Sequence, residues 1–132
     1  MNKTGQQKKT EKNYEANHDE AIRVATMHLG ALACLAHEEA KANGWWENGD
    51  RNFGELCMLM VTEISEAFEY HRKGGGKDDH LPEREGSDVE MADVIIRVLD
   101  YCGRNQIDIG TIVREKLMYN RTRGYRHGGK KA

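Results

Sequence analysis

The chain holds few of the residues that announce a function early. It has one proline, two phenylalanines, two tryptophans and three cysteines in 132 residues. Cys34, Cys57 and Cys102 are far apart, form no CxxC and are odd in number. That excludes a disulfide framework and predicts reduced thiols in a cytoplasmic protein. No apolar run approaches the roughly 20 residues needed to span a bilayer, so no membrane role is expected. No segment keeps a strand's alternation; Val94–Leu99 is the nearest to one, and its flanks hold helical spacing. Glu15-Ala-Asn-His18 is the only ExxH, whereas a di-iron bundle needs two. The loop Lys73-Gly-Gly-Gly-Lys77 is not a P-loop, since no Ser or Thr follows Lys77 and no strand precedes it.

Charge is unevenly placed. The net value is −2, but the stretch between residues 14 and 113 carries nine Lys/Arg against twenty Asp/Glu, while both ends are basic. An acidic body argues against nucleic-acid binding and repels free phosphates unless metal ions intervene.

What is present is helical. Residues 1–16 are polar and Lys/Gln-rich and read as a flexible basic arm. A first helix is expected from about Asp19 to Ala42, with the apolar stripe Ile22, Ala25, Leu29, Leu32, Ala36 and Ala40, closed by Gly44. His28 and His37 on it read as ordinary helix residues. A second helix runs from the capping box Asn52-Phe-Gly-Glu55 to about His71. A glycine-rich loop, read as flexible, leads to a third helix at 87–104. A fourth covers 108–122, and residues 124–132 form a basic glycine-rich tail that folds over an anion or stays free. The expected domain is 17–123.

Two acidic pairs lie on the central helices, Glu63-Ile-Ser-Glu66 and Glu90-Met-Ala-Asp93. Residues three apart share a helix face, so two such helices side by side would gather four carboxylates. Carboxylates do not crowd together ionised without a cation, and an all-oxygen donor set favours Mg²⁺ or Mn²⁺ over zinc. At about 100° per residue, Leu56, Leu59, Met60, Ala67 and Tyr70 fall within about 60° of Glu63. Glu63 is therefore at the centre of an apolar stripe and needs a partner, either a metal or an arginine of a neighbouring helix. Glu90, Asp93, Arg97 and Asp100 form a narrow polar stripe on a helix that is otherwise apolar. That stripe faces either a polar cavity or solvent. Ser87-Asp88-Val89-Glu90 also has the capping-box pattern, which would make Glu90 a cap.

Two further groups complete the candidates. Lys116, Asn120 and Arg123 make a donor stripe at i, i+4 and i+7 that continues a buried face; it suits phosphate oxygens or snorkels at the end of a core helix. Of the adjacent Trp45 and Trp46, one is expected to pack on the bundle; the other either packs as well, the commoner case, or stacks on a planar ligand such as a nucleobase.

Glu63-x-x-Glu66 followed by Glu90-x-x-Asp93 resembles the signature of MazG-like nucleoside triphosphate pyrophosphohydrolases, of the all-α NTP pyrophosphatase superfamily. Met60–Ala67 is similar to that family's first metal helix, Val89–Leu99 to its second and Glu115–Arg123 to its last. Gly124-Tyr-Arg-His-Gly-Gly-Lys resembles the tails of small single-domain members. The resemblance spans about residues 17–131. It implies an all-α, four-to-five-helix antiparallel bundle completed as a homodimer or homotetramer. It also implies Mg²⁺ held by Glu63, Glu66, Glu90 and Asp93, and cleavage of (d)NTP to (d)NMP and pyrophosphate. Glu63 and Glu66 are the expected catalytic pair, Glu66 orienting the water. Lys116, Asn120 and Arg123 would contact phosphate or sugar, and Trp45 or Trp46 the base. The competing readings are a non-enzymatic helical module that binds nucleotides or a partner protein, and a relative acting on phosphoribosyl-ATP or dUTP.

Overall fold

A computed structural model of the protein describes residues 5–123. It contains α1 (Gly5–Ala42), α2 (Phe53–Arg72), α3 (Gly86–Arg104) and α4 (Ile109–Thr122). Among the described residues there is no strand, only an isolated bridge between Lys77 and Glu85. The all-α expectation therefore holds for this part of the chain. The tail at 124–132 lies outside the described residues.

The first helix is longer than the sequence pattern predicts. It starts at Gly5, so residues 5–16, read as a flexible arm, are helical. No glycine or proline interrupts the run from Gln6 to Leu29, and its Gln, Lys, Glu and Ala residues are good helix formers that extend the turns already fixed downstream.

The chain divides into two compact units, one of Leu32–Ile107 and one formed by the ends, up to Ala31 and from Asp108 on. In the first of these, α2 and α3 make the main packing, with Ala33, Leu56, Ala67, Leu99 and Cys102 buried. Asn52 caps α2 as expected, its side chain accepting the Glu55 N–H at 3.1 Å. The third helix has its cap at Glu85 rather than Ser87. Gly86 lies under the Tyr70 ring, where a methyl group would overlap it, and its N–H donates to the Gly76 carbonyl at 2.9 Å. The local capping pattern thus yields to a tertiary contact that only glycine allows.

The α2–α3 loop is tied down rather than loose. Asp78 is buried, and its carboxylate accepts the N–H groups of His80 (2.9 Å) and Leu81 (2.7 Å). Its own N–H donates to the Arg84 carbonyl at 3.1 Å. Three glycines with positive φ, Gly74, Gly75 and Gly76, make the exit from α2.

Close approach of α1 and α3 depends on Gly103. A Cβ there would run into the Ala33 carbonyl oxygen and the His37 side chain. Because one obstacle is backbone, relief requires moving a helix. Gly103→Ala is expected to lower stability by roughly 2–3 kcal/mol, despite alanine's better helix propensity. Denaturant unfolding followed by circular dichroism measures this; a stabilised variant would contradict the packing.

In the other unit, Gly110 of α4 sits against the Thr26 carbonyl of α1, again with no room for a methyl group. Asp108 caps α4 by accepting the Thr111 N–H at 3.1 Å, and Arg121 pairs with Asp19 at 2.6 Å. In the unit of Leu32–Ile107 much apolar surface is uncovered. Leu32, Leu35, Met58, Val61, Ile64 and Phe68 are each between 45% and 59% exposed, and no large side chain among the described residues is fully buried.

Candidate metal centre

Glu63 is only 6% exposed, beside Leu56 and Ala67 on the buried stripe of α2. Across the α2–α3 interface stand Glu90 and Asp93, both half-buried. One carboxylate oxygen from each of the three lies within 4.8 Å of the others. Two of the three come from the i, i+3 pair on α3, which is half-buried and borders polar clefts. Glu90 does not act as a cap, because the cap of this helix is Glu85. The fourth predicted carboxylate, Glu66, is exposed and outside this triplet. It borders the adjoining polar cleft together with Glu90.

The arginine partner that the sequence left open for Glu63 also exists. Arg97, one turn after Asp93 on α3, donates its Nε–H to Glu63 Oε1. One guanidinium thus faces three carboxylates. The imbalance shows in their acidity. Glu90 is pushed up to about 7, first by burial, then by the charge of Glu66 and by sharing its proton with Glu63. Asp93 is also raised, by burial and then by Glu63, with Arg97 and His80 partly offsetting this. The donor set is hard oxygen throughout, at a spacing that one divalent ion can span, and such an ion supplies the missing positive charge. The residues therefore fit a hard divalent cation.

The raised pKa of Glu90 has a consequence for stability. Between the ordinary carboxylate value of 4.5 and about 7, folded Glu90 holds a proton that the unfolded chain has lost. The folded state binds more protons there, so metal-free stability falls as pH rises through that window and levels off above it. A cation bound there would compete with that proton and would bind best once the proton has gone. Melting curves should show stabilisation by a large excess of Mn²⁺, about 5 mM, that is greater above a pH of about 7 than below about 6. Equal stabilisation at both would contradict the site.

Two clefts in this unit border the cluster. One, of about 450 Å³, is lined by Trp45, Arg51, Asp93, Ile96 and Arg97 among others. The other, of about 310 Å³, includes Glu66, Tyr70, Lys73, His80 and Glu90. Asp93 belongs to the first and Glu90 to the second.

The two tryptophans differ in their surroundings. Trp46 packs: its Nε1–H donates to both Asp100 oxygens (3.0 and 3.1 Å), and its ring meets the His37 edge at 5.4 Å. His37 also bonds Asp100, Nδ1 to Oδ1 at 2.8 Å, so this histidine is structural. Trp45 is 54% exposed in the larger cleft, with the Arg51 and Arg97 guanidinium carbons 5.6 and 5.9 Å from its ring centroid.

Lys116, Asn120 and Arg123 belong to the other unit, at the end of α4. Lys116 and Arg123 approach Tyr119, whose ring centroid lies 4.9 Å from Lys116 Nζ and 5.9 Å from Arg123 Cζ. Lys116 and Arg123 are exposed, so the stripe does not continue a buried face in this chain. Asn120 differs: its Oδ1 is buried with no hydrogen-bond partner among the described residues.

Sequence reasoning does not single out Arg97, Arg51 or His80 as site residues. Arg97 is legible only as a member of the polar stripe of α3. Arg51 and His80 are in irregular segments where periodicity says nothing.

Comparison with protein-family models, with curated proteins and with solved structures finds no match.

Proposed function

We propose that this chain is a divalent-metal-dependent nucleoside triphosphate pyrophosphohydrolase of the MazG-like kind, cleaving (d)NTP to (d)NMP and pyrophosphate. The observation that carries this reading is the meeting of Glu63, Glu90 and Asp93 within 4.8 Å, countered by a single arginine. Mg²⁺ or Mn²⁺ bound there would neutralise triphosphate charge, polarise phosphorus and lower the pKa of a bound water. Glu63, Glu90 and Asp93 are the holding residues, with Glu66 at the edge to orient the attacking water. Water oxygen bonds to the α-phosphorus and gives up a proton to solvent, the anhydride bond to the β-phosphate breaks, and pyrophosphate leaves with the electron pair. Positioning and charge stabilisation supply most of what such a transfer needs. The Trp45 ring, open to the cleft that contains Asp93, suits stacking on the base. Lys116, Asn120 and Arg123 are assigned to phosphate or sugar contacts on the resemblance alone.

The same reading includes an antiparallel bundle completed as a homodimer or homotetramer in the cytoplasm. The thin core supports association, and the free thiols of Cys34, Cys57 and Cys102 suit a reducing compartment. No helix among the described residues is long and apolar enough to cross a membrane.

The test is a panel of NTPs and dNTPs with Mg²⁺, assayed for pyrophosphate and for orthophosphate. Pyrophosphate release that stops when metal is chelated is the expected result; release that persists without a divalent ion contradicts it. One observation favours a second reading, a non-enzymatic nucleotide-binding module: Glu63 already has an ion-pair partner in Arg97. That reading predicts nucleotide binding with no release from any member of the panel. Phosphoribosyl-ATP and dUTP belong in the panel, to separate relatives with other substrates.

A further inference from the structure

We propose that Arg97 has two positions in this site. It is the resident counter-ion of Glu63 while no cation is bound. Displaced by the cation, it becomes a phosphate-binding residue at the mouth of the Trp45 cleft. The second half rests on the pyrophosphohydrolase reading above; the first half does not.

The geometry gives Arg97 both neighbours. Its Nε–H is committed to Glu63, a carboxylate that is 6% exposed and cannot stay ionised without a partner. Its side chain also lines the larger cleft beside Asp93, with Cζ 5.9 Å from the centroid of Trp45. It is 31% exposed, against 8% for the Glu63 side chain, so it has somewhere to go. A divalent ion among Glu63, Glu90 and Asp93 would compete for the Glu63 carboxylate and repel the guanidinium at close range. Asp93, Trp45 and Arg97 already line the same cleft. There the planar fork of the guanidinium matches phosphate oxygens better than a point charge would. Arg51 and Lys73 are otherwise engaged: Arg51 pairs with Glu55 at 2.8 Å and covers Trp45, and Lys73 lies 3.8 Å from Glu69.

Arg97→Met and Arg97→Lys test this in the full chain, with Mn²⁺ alone and then inorganic tripolyphosphate as probes, by titration calorimetry. Arg97→Met should bind Mn²⁺ about tenfold tighter, since a competing charge has been removed. With Mn²⁺ saturating, it should bind tripolyphosphate about tenfold more weakly. Arg97→Lys keeps the charge, so its Mn²⁺ affinity should stay within about twofold while tripolyphosphate binding weakens at least about threefold. The opposite signs matter, because an ion pair that merely holds α2 to α3 would weaken both affinities when broken. Unchanged or weaker Mn²⁺ binding by Arg97→Met overturns the proposal, as does unchanged tripolyphosphate binding by both variants. If Arg97→Met fails to fold without metal, melting curves against Mn²⁺ replace the first titration. Restored folding supports the exchange, and no restoration overturns it. The Mn²⁺ titrations need no hydrolysis, so a silent substrate panel would sink the enzymatic reading without touching them.

Discussion

Glu63→Gln is expected to cut pyrophosphate release by at least about a thousandfold while leaving the helical circular dichroism signal in place. The amide keeps the shape of the side chain and its place on the stripe with Leu56 and Ala67. It loses the charge that a metal ligand at this position would need. Glu63 is the most buried of the three converging carboxylates, so solvent cannot substitute for it. The fold should survive because the group left without its partner, Arg97, is partly exposed and can turn toward water. A modest fall in melting temperature is consistent with this. Near-normal release from a folded Glu63→Gln protein would contradict the assignment.

The second large effect concerns association. Met58, Val61, Ile64 and Phe68 recur on α2 at intervals of three, three and four, which places them on one helix face. They are 59%, 45%, 49% and 59% exposed. Hydrophobic side chains in such a row are stable in water when something covers them, and the reading above makes that a second copy of this chain. Light scattering at micromolar concentration should show a dimer or tetramer. Replacing both Ile64 and Phe68 by Asp should weaken association by about a thousandfold, since two central contacts near 2 kcal/mol each are lost. A wild-type chain that stays monomeric at high concentration would remove oligomerisation from the account.

Regular periodicity makes much of this legible in the sequence alone. The helical wheel centres Glu63 on an apolar stripe, and Glu63 is buried, because burial here follows from one face of one helix. Asn52 caps α2 as its pattern implies, and α4 begins beside Asp108, since those bonds are local in sequence. Failures arise where a distant contact decides the outcome. Ser87 loses the cap to the pairing of Gly86 with Tyr70, and the glycine-rich loop is tied by a buried Asp78 that no pattern exposes. The Lys116–Arg123 stripe reads as buried on a wheel but is open in this chain, because a wheel does not say whether a neighbour covers a face. Arg97 is visible in the sequence as a polar residue among apolar ones. Its position between Glu63 and the Trp45 cleft depends on how α2 and α3 pack, which periodicity does not encode.

Anomalous diffraction from crystals grown with Mn²⁺ addresses the metal directly. The account predicts a strong peak bonded to oxygens of Glu63, Glu90 and Asp93, with the Arg97 guanidinium moved off Glu63. A map with no peak there, and Arg97 still holding Glu63, would contradict it.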